Sequence, residues 1–291
     1  MPTPDFDSLV PRRDYSRRDF VRTGVGTGFA AAVLPTLAQS TISTDADGLT
    51  VGEVMVPLGD ERIPAYRAAP AGKTGAPVVL VVSEIFGVHE YIADTARRFA
   101  KQGYFAVAPE LFVRQGDPAM YGEVARLIAE VVSKVPDAQV MRDLDATVAW
   151  AGAQGADARR LGITGFCWGG RITWLYAAHN PALRAGVAWY GRLVGNATEL
   201  TPRHPVDVTA SLHAPVLGLY GGADAGIALD TVDKMKAALA RGSAAARRSQ
   251  FVVYPDAPHA FHADYRPSYR KEPAEDGWKR CLAWFRDHGV G

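Results

Sequence analysis

Leu161-Gly162-Ile163-Thr164-Gly165-Phe166-Cys167-Trp168-Gly169-Gly170 is the stretch on which the fold turns. A short apolar run ends at a glycine, a cysteine sits between two bulky aromatics, and two more glycines lead into a helical segment. Gly165-x-Cys167-x-Gly169 has the form of a nucleophile elbow, with cysteine where serine is more usual. The glycines leave room for a strand-to-helix turn so tight that the middle side chain points out of strained backbone. Such a turn places the sulfur at a helix amino terminus, whose dipole favours an anion, and aims the Trp168 backbone N–H at a developing oxyanion.

Outward from this turn, strands and helices alternate. Residues 77–85 form a near-continuous apolar run, as a strand buried on both faces should. Further strands are predicted at 105–111, 161–165, 185–190, 216–220 and 250–254, with helical material at 91–101, 120–153, 170–179, 229–240 and 274–287. Residues 50–56 and 63–68 read as two strands around a Gly59-Asp60 turn, at a sheet edge exposed on one side. The alternation calls for right-handed crossovers and an α/β architecture, a mostly parallel central sheet with helices on both faces. Chemistry in such sheets lies in the loops after the carboxyl ends of strands.

Three of those loops carry candidates. Asp224 follows the strand at 216–220 through Gly221-Gly222-Ala223, where its carboxylate can fix an imidazole tautomer; Asp230 and Asp256 are its competitors. His259 and His262 follow the last strand, and the order nucleophile, acid, histidine favours His259 as the base. His262 is left to line the pocket or face solvent, while His89, His179, His204, His213 and His288 fall outside these positions. Ser83-Glu84-Ile85-Phe86-Gly87 ends the first buried strand, so Ile85 can supply the second oxyanion N–H, and Glu84 is a carboxylate unusually close to a pocket. Phe86, Arg114, Trp168 and Tyr190 are candidates for the pocket lining.

The 291 residues, 48% hydrophobic, suit one large core. The amino terminus reads differently. Ser16-Arg17-Arg18-Asp19-Phe20-Val21 precedes a mildly apolar run from Gly24 to Leu37, the pattern of a twin-arginine export signal over residues 1–38, with Thr36-Leu37-Ala38 a plausible cleavage site. Residues 39–49 are then a linker and 50–291 the catalytic domain. Export by the twin-arginine machinery implies a periplasmic or secreted product. Removing 1–38 takes away five basic and four acidic residues, which leaves the charges of the domain balanced. No basic stripe for nucleic acid and no second apolar run for a membrane span is apparent. Cys281, beside Leu282, Trp284 and Phe285, reads as a small buried hydrophobe rather than a disulfide partner of Cys167.

Taken together, residues 50–288 resemble the dienelactone hydrolase family, cysteine members of the α/β-hydrolase fold. The resemblance rests on Ser83-Glu84-Ile85-Phe86-Gly87, Ala108-Pro109-Glu110-Leu111-Phe112 with Arg114-Gln115, Gly165-Phe166-Cys167-Trp168-Gly169-Gly170, Trp189-Tyr190-Gly191, Gly221-Gly222-Ala223-Asp224 and His259-Ala260-Phe261. It implies Cys167 as nucleophile, His259 as base and acid, Asp224 as its orienting carboxylate, and Glu84 in contact with the thiol. It also implies an ester or lactone substrate; acyl transfer of this kind needs no metal or organic cofactor, and no histidine–carboxylate cluster with metal spacing argues for one. Family members that act on dienelactone hold its carboxylate with arginines, one of them four residues after the histidine. That position here is Ala263, and Arg266 and Arg270 lie nearby. The rival readings are a general carboxylesterase or thioesterase of the envelope, and a hydrolase-fold protein that binds without turnover.

Overall fold

The computed structural model describes residues 42–291. The expected export segment and cleavage site, over residues 1–38, lie outside them. Eight strands form one sheet: β1 (Leu49–Leu58), β2 (Glu61–Pro70), β3 (Pro77–Val82), β4 (Phe105–Pro109), β5 (Asp157–Phe166), β6 (Leu183–Trp189), β7 (Val216–Gly221) and β8 (Gln250–Tyr254). Their order across the sheet is β1-β2-β4-β3-β5-β6-β7-β8. The β1–β2 and β2–β4 pairs are antiparallel and all other neighbours are parallel. The expected mostly parallel α/β sheet is therefore what the chain forms.

The helices are α1 (Glu90–Lys101), α2 (Val124–Glu130), α3 (Asp137–Ala153), α4 (Trp168–His179), α5 (Leu229–Ala240), α6 (Ala244–Arg248) and α7 (Lys271–Asp287). They cover both faces of the sheet and divide the core in two. One cluster joins Leu80, Val82, Ile163, Ile172, Trp174 and Val216; the other joins Val79, Val81, Phe99, Phe166, Trp189 and Phe285. Alternate residues of β3 feed the two clusters, which is why the strand reads as unbroken apolar sequence. Each fully buried Val or Leu there stabilises the fold by about 1.5–3 kcal/mol relative to exposure.

Three expectations need correction, and one helix has no counterpart in the sequence reading. β2 is not exposed on one side: it lies between β1 and β4, and Ile63, Ala65, Tyr66 and Ala68 are buried. The run at 77–85 leaves the ladder after Val82, so Ser83, Glu84 and Ile85 begin a loop. The helical stretch at 120–153 is broken. A 3-10 turn at Val132–Lys134 and Pro136, the residue before α3, separate α2 from α3, because proline lacks the N–H that a helix interior needs. The short helix α6, capped by Ser243 accepting from the Ala246 N–H at 3.0 Å, had not been predicted.

Cys167 and Cys281 are both free, and Cys281 is fully buried on α7. Burial pushes its thiol pKa up, as for a packed hydrophobe. Among the described residues, no helix is long and apolar enough to cross a membrane.

Candidate active site

The site lies at the carboxyl ends of β3, β5, β7 and β8. Cys167 is the residue between β5 and α4, with φ 53° and ψ −110°, a conformation L-residues rarely adopt. The turn is held by neighbours. The Cys167 N–H donates to the Trp189 carbonyl at 3.0 Å, and the Cys167 carbonyl accepts from Gly170 at 3.0 Å and Arg171 at 3.3 Å. Gly169 is required by close approach, since a Cβ there would run into the Val82 carbonyl. Trp168 begins α4, so no carbonyl of a preceding turn is available to its N–H. Its ring packs on Phe112 at 4.8 Å.

Asp224, in the loop after β7, is buried with its carboxylate fully engaged. Oδ1 accepts from the Gly226 and Ile227 N–H groups at 2.8 and 3.1 Å, and Oδ2 lies 2.6 Å from His259 Nδ1. With Nδ1–H donating to Asp224, Nε2 is the nitrogen left for another partner. Burial alone would lower the pKa of His259. The hydrogen bond that Nδ1–H donates to Asp224 and the neighbouring Cys167 sulfur outweigh it and raise the pKa to about 10. Tyr190, itself at φ 39°, meets the imidazole edge-on at 5.1 Å. The structure thus gathers Cys167, Asp224, His259 and Tyr190, as the sequence suggested, and sets Asp230 and Asp256 on the surface.

Glu84 is buried, but its hydrogen-bond partners are not those expected. Oε1 accepts from the Tyr265 hydroxyl at 2.8 Å and Oε2 lies 3.3 Å from His89 Nε2. Burial opposes its charge, yet His89 and Arg266 outweigh burial and lower its pKa. The hydrogen bonds of Glu84 thus go to Tyr265 and His89. His89, set aside on sequence position, belongs beside the site after all, because it precedes α1 in the same loop as Glu84.

Arg266 Nε donates to the Tyr265 hydroxyl at 3.1 Å, and its guanidinium lies 4.8 Å from the Phe86 ring centre. Both Phe86 and Arg266 therefore stand at the site. Two other candidates do not. Arg114 is committed to structure, donating to Glu61 at 2.8 Å and to Asp143 at 2.7 and 3.2 Å. His262 neither lines a pocket nor meets solvent: it is 2% exposed, packs on Phe166 and Trp189, and bonds Tyr91 at 2.7 Å through Nδ1. Burial holds its pKa well below the usual histidine range.

Sequence position sets His89 aside and passes over Tyr265 altogether. Tyr265 is six positions beyond His259, in a loop with no periodic pattern, and only the fold brings it to Glu84.

The profile of the Dienelactone hydrolase family matches residues 63–289. A Methylorubrum extorquens protein provisionally named a carboxymethylenebutenolidase is 63% identical over 287 residues, covering 98% of each chain. A Salmonella typhimurium protein of the same provisional name is 53% identical over 264 residues, 90% of this chain and 96% of that one. The crystal structure of a provisionally assigned dienelactone hydrolase from Klebsiella pneumoniae superposes with a TM-score of 0.79 at 57% identity, covering 82% of this chain and 98% of the other. An eight-stranded sheet of this order, a glycine-lined turn at its centre and relatives that span almost the whole sequence make this chain a member of the dienelactone hydrolase family, a hydrolase on the α/β-hydrolase fold.

Proposed function

We propose that the protein cleaves carboxylic esters or lactones through a covalent thioester on Cys167. The observation that carries this reading is the pairing of a cysteine at φ 53° before a helix with an imidazole whose Nδ1 is held 2.6 Å from a buried carboxylate. In the first step the Cys167 sulfur attacks the carbonyl carbon as thiolate, and the carbonyl oxygen becomes an oxyanion facing the Ile85 and Trp168 N–H groups. Collapse expels the alkoxide, which takes a proton from the His259 imidazolium. A water molecule then gives a proton to His259 and attacks the thioester, and the acid leaves with the thiolate restored. Asp224 keeps Nδ1 protonated throughout, so Nε2 does the proton transfers.

Arg266 gives the pocket a fixed cation, oriented by the Phe86 face and the Tyr265 hydroxyl. An ester or lactone carrying a carboxylate is therefore the favoured substrate class, and Glu84 orients that cation through Tyr265. We also propose twin-arginine export to the periplasm or beyond, on the strength of Arg17-Arg18 and the apolar run that follows. Arg17→Lys with Arg18→Lys should retain the protein in the cytoplasm on cell fractionation.

Activity is tested with p-nitrophenyl acetate and a panel of lactones including dienelactone. Cys167→Ala should abolish turnover, and Cys281→Ala should preserve it. Full activity in folded Cys167→Ala would remove the reading, and silence of the reduced wild type on every substrate would favour a protein that only binds.

A further inference from the structure

Glu110 has no part in the steps above, yet it is a carboxylate with no exposed surface. It follows β4, where its own N–H donates to the Pro64 carbonyl at 2.8 Å. Oε2 accepts from the Val88 N–H at 2.7 Å and Oε1 from the Phe112 N–H at 3.2 Å. Gly87 lies against it at φ +72°, and a Cβ there would come 2.5 Å from Oε2. Val88 belongs to the loop that begins at Ser83 and carries Ile85. Phe112 packs its ring on Trp168.

We propose that Glu110 is a positioning residue whose one buried carboxylate braces the Ile85 loop directly, through the Val88 N–H, and the Trp168 turn indirectly, through the backbone of Phe112, whose ring packs on Trp168. The proposal rests on the hydrolase reading and deepens it. The Val88 and Phe112 N–H groups come from separate loops and meet different oxygens of Glu110, so an ionised carboxylate accepts both, whereas an amide would turn an NH2 donor toward one of them. The cost is a buried charge. Its charged neighbours are Asp117 and His89: burial and Asp117 push the pKa up, the Val88 and Phe112 N–H groups and His89 push it down, and it lies at about 7. The brace is thus intact above neutrality and loses an acceptor oxygen to a proton below it.

Two reactions of the same sulfur separate this role from general damage. Alkylation by iodoacetamide needs a reactive Cys167 but forms no oxyanion, whereas acylation by p-nitrophenyl acetate needs both. Glu110→Gln should lower the acylation rate about tenfold, the scale of a small misplacement at a reacting centre, and leave alkylation of Cys167 unchanged. In wild type the ratio of acylation to alkylation should fall as pH drops through 7, and in Glu110→Gln it should be flat. The wild-type ratio also stands as a test should the variant not fold. Unimpaired acylation in Glu110→Gln, equal loss of both reactions, or a wild-type ratio independent of pH would overturn the brace. Failure of the hydrolase reading looks different: Cys167→Ala would keep its turnover.

Discussion

Asp224 carries the sharpest residue-scale expectation. Its Oδ1 is occupied by two backbone N–H groups, so only Oδ2 is free to fix His259. Asp224→Asn keeps the size but can turn a donor toward Nδ1 and select the wrong tautomer. The kcat for p-nitrophenyl acetate should fall by roughly 10³–10⁴, with KM little changed. Arg266 acts differently, since it binds rather than reacts. Arg266→Ala should raise KM about tenfold for esters bearing a carboxylate, the scale of one charge-assisted contact from a half-buried arginine, and leave neutral esters unaffected. An equal loss on both classes would show that Arg266 does no anion recognition. The sequence placed Cys167, Asp224 and His259 together because each follows a strand with a distinctive glycine or histidine pattern. It misplaced Arg114, whose partners Glu61 and Asp143 lie far away along the chain.

Elements were legible where their burial pattern is uniform. β3, with six buried residues, stands out in the sequence, but its end does not, because Ser83, Glu84 and Ile85 continue the mixed apolar character after the ladder stops. Helix α7 shows how packing overrides propensity. Gly277 lies mid-helix, where alanine would ordinarily add about 1 kcal/mol. A Cβ at that position would come 2.6 Å from the buried Trp189 ring, which has no room to move. Overpacking of this kind costs about 1–3 kcal/mol, so Gly277→Ala should lower the thermal midpoint, with α7 lifted from β6. A raised midpoint in calorimetry would show that the helix accommodates the methyl. The Tyr265–Glu84 contact was illegible at this scale, because it joins loops separated by most of the chain.

At the scale of the whole molecule, burial of ionisable groups sets the pH dependence of stability. The folded-state pKa of His259 is raised to about 10 from 6.5. Its contribution is present in full below pH 6.5 and lost as pH rises toward 10. Glu110, raised to about 7 from 4.5, also makes the folded state bind more protons than the unfolded chain, so its contribution weakens stability as pH rises from 4.5 to 7. The thermal midpoint should therefore decline from mildly acidic pH toward pH 10, and His259→Gln should flatten the part above 6.5. A midpoint that rises across that window would contradict the ionisation assigned to both groups.

The central claim is that Cys167 becomes acylated. Rapid-quench mixing with p-nitrophenyl acetate, followed by peptide mass mapping of the reduced protein, tests it directly. The account predicts an acetyl group on the peptide containing Cys167, formed and lost at rates consistent with turnover and removed by hydroxylamine. Turnover without an acetylated Cys167, or acetylation of another residue at a competent rate, would contradict it.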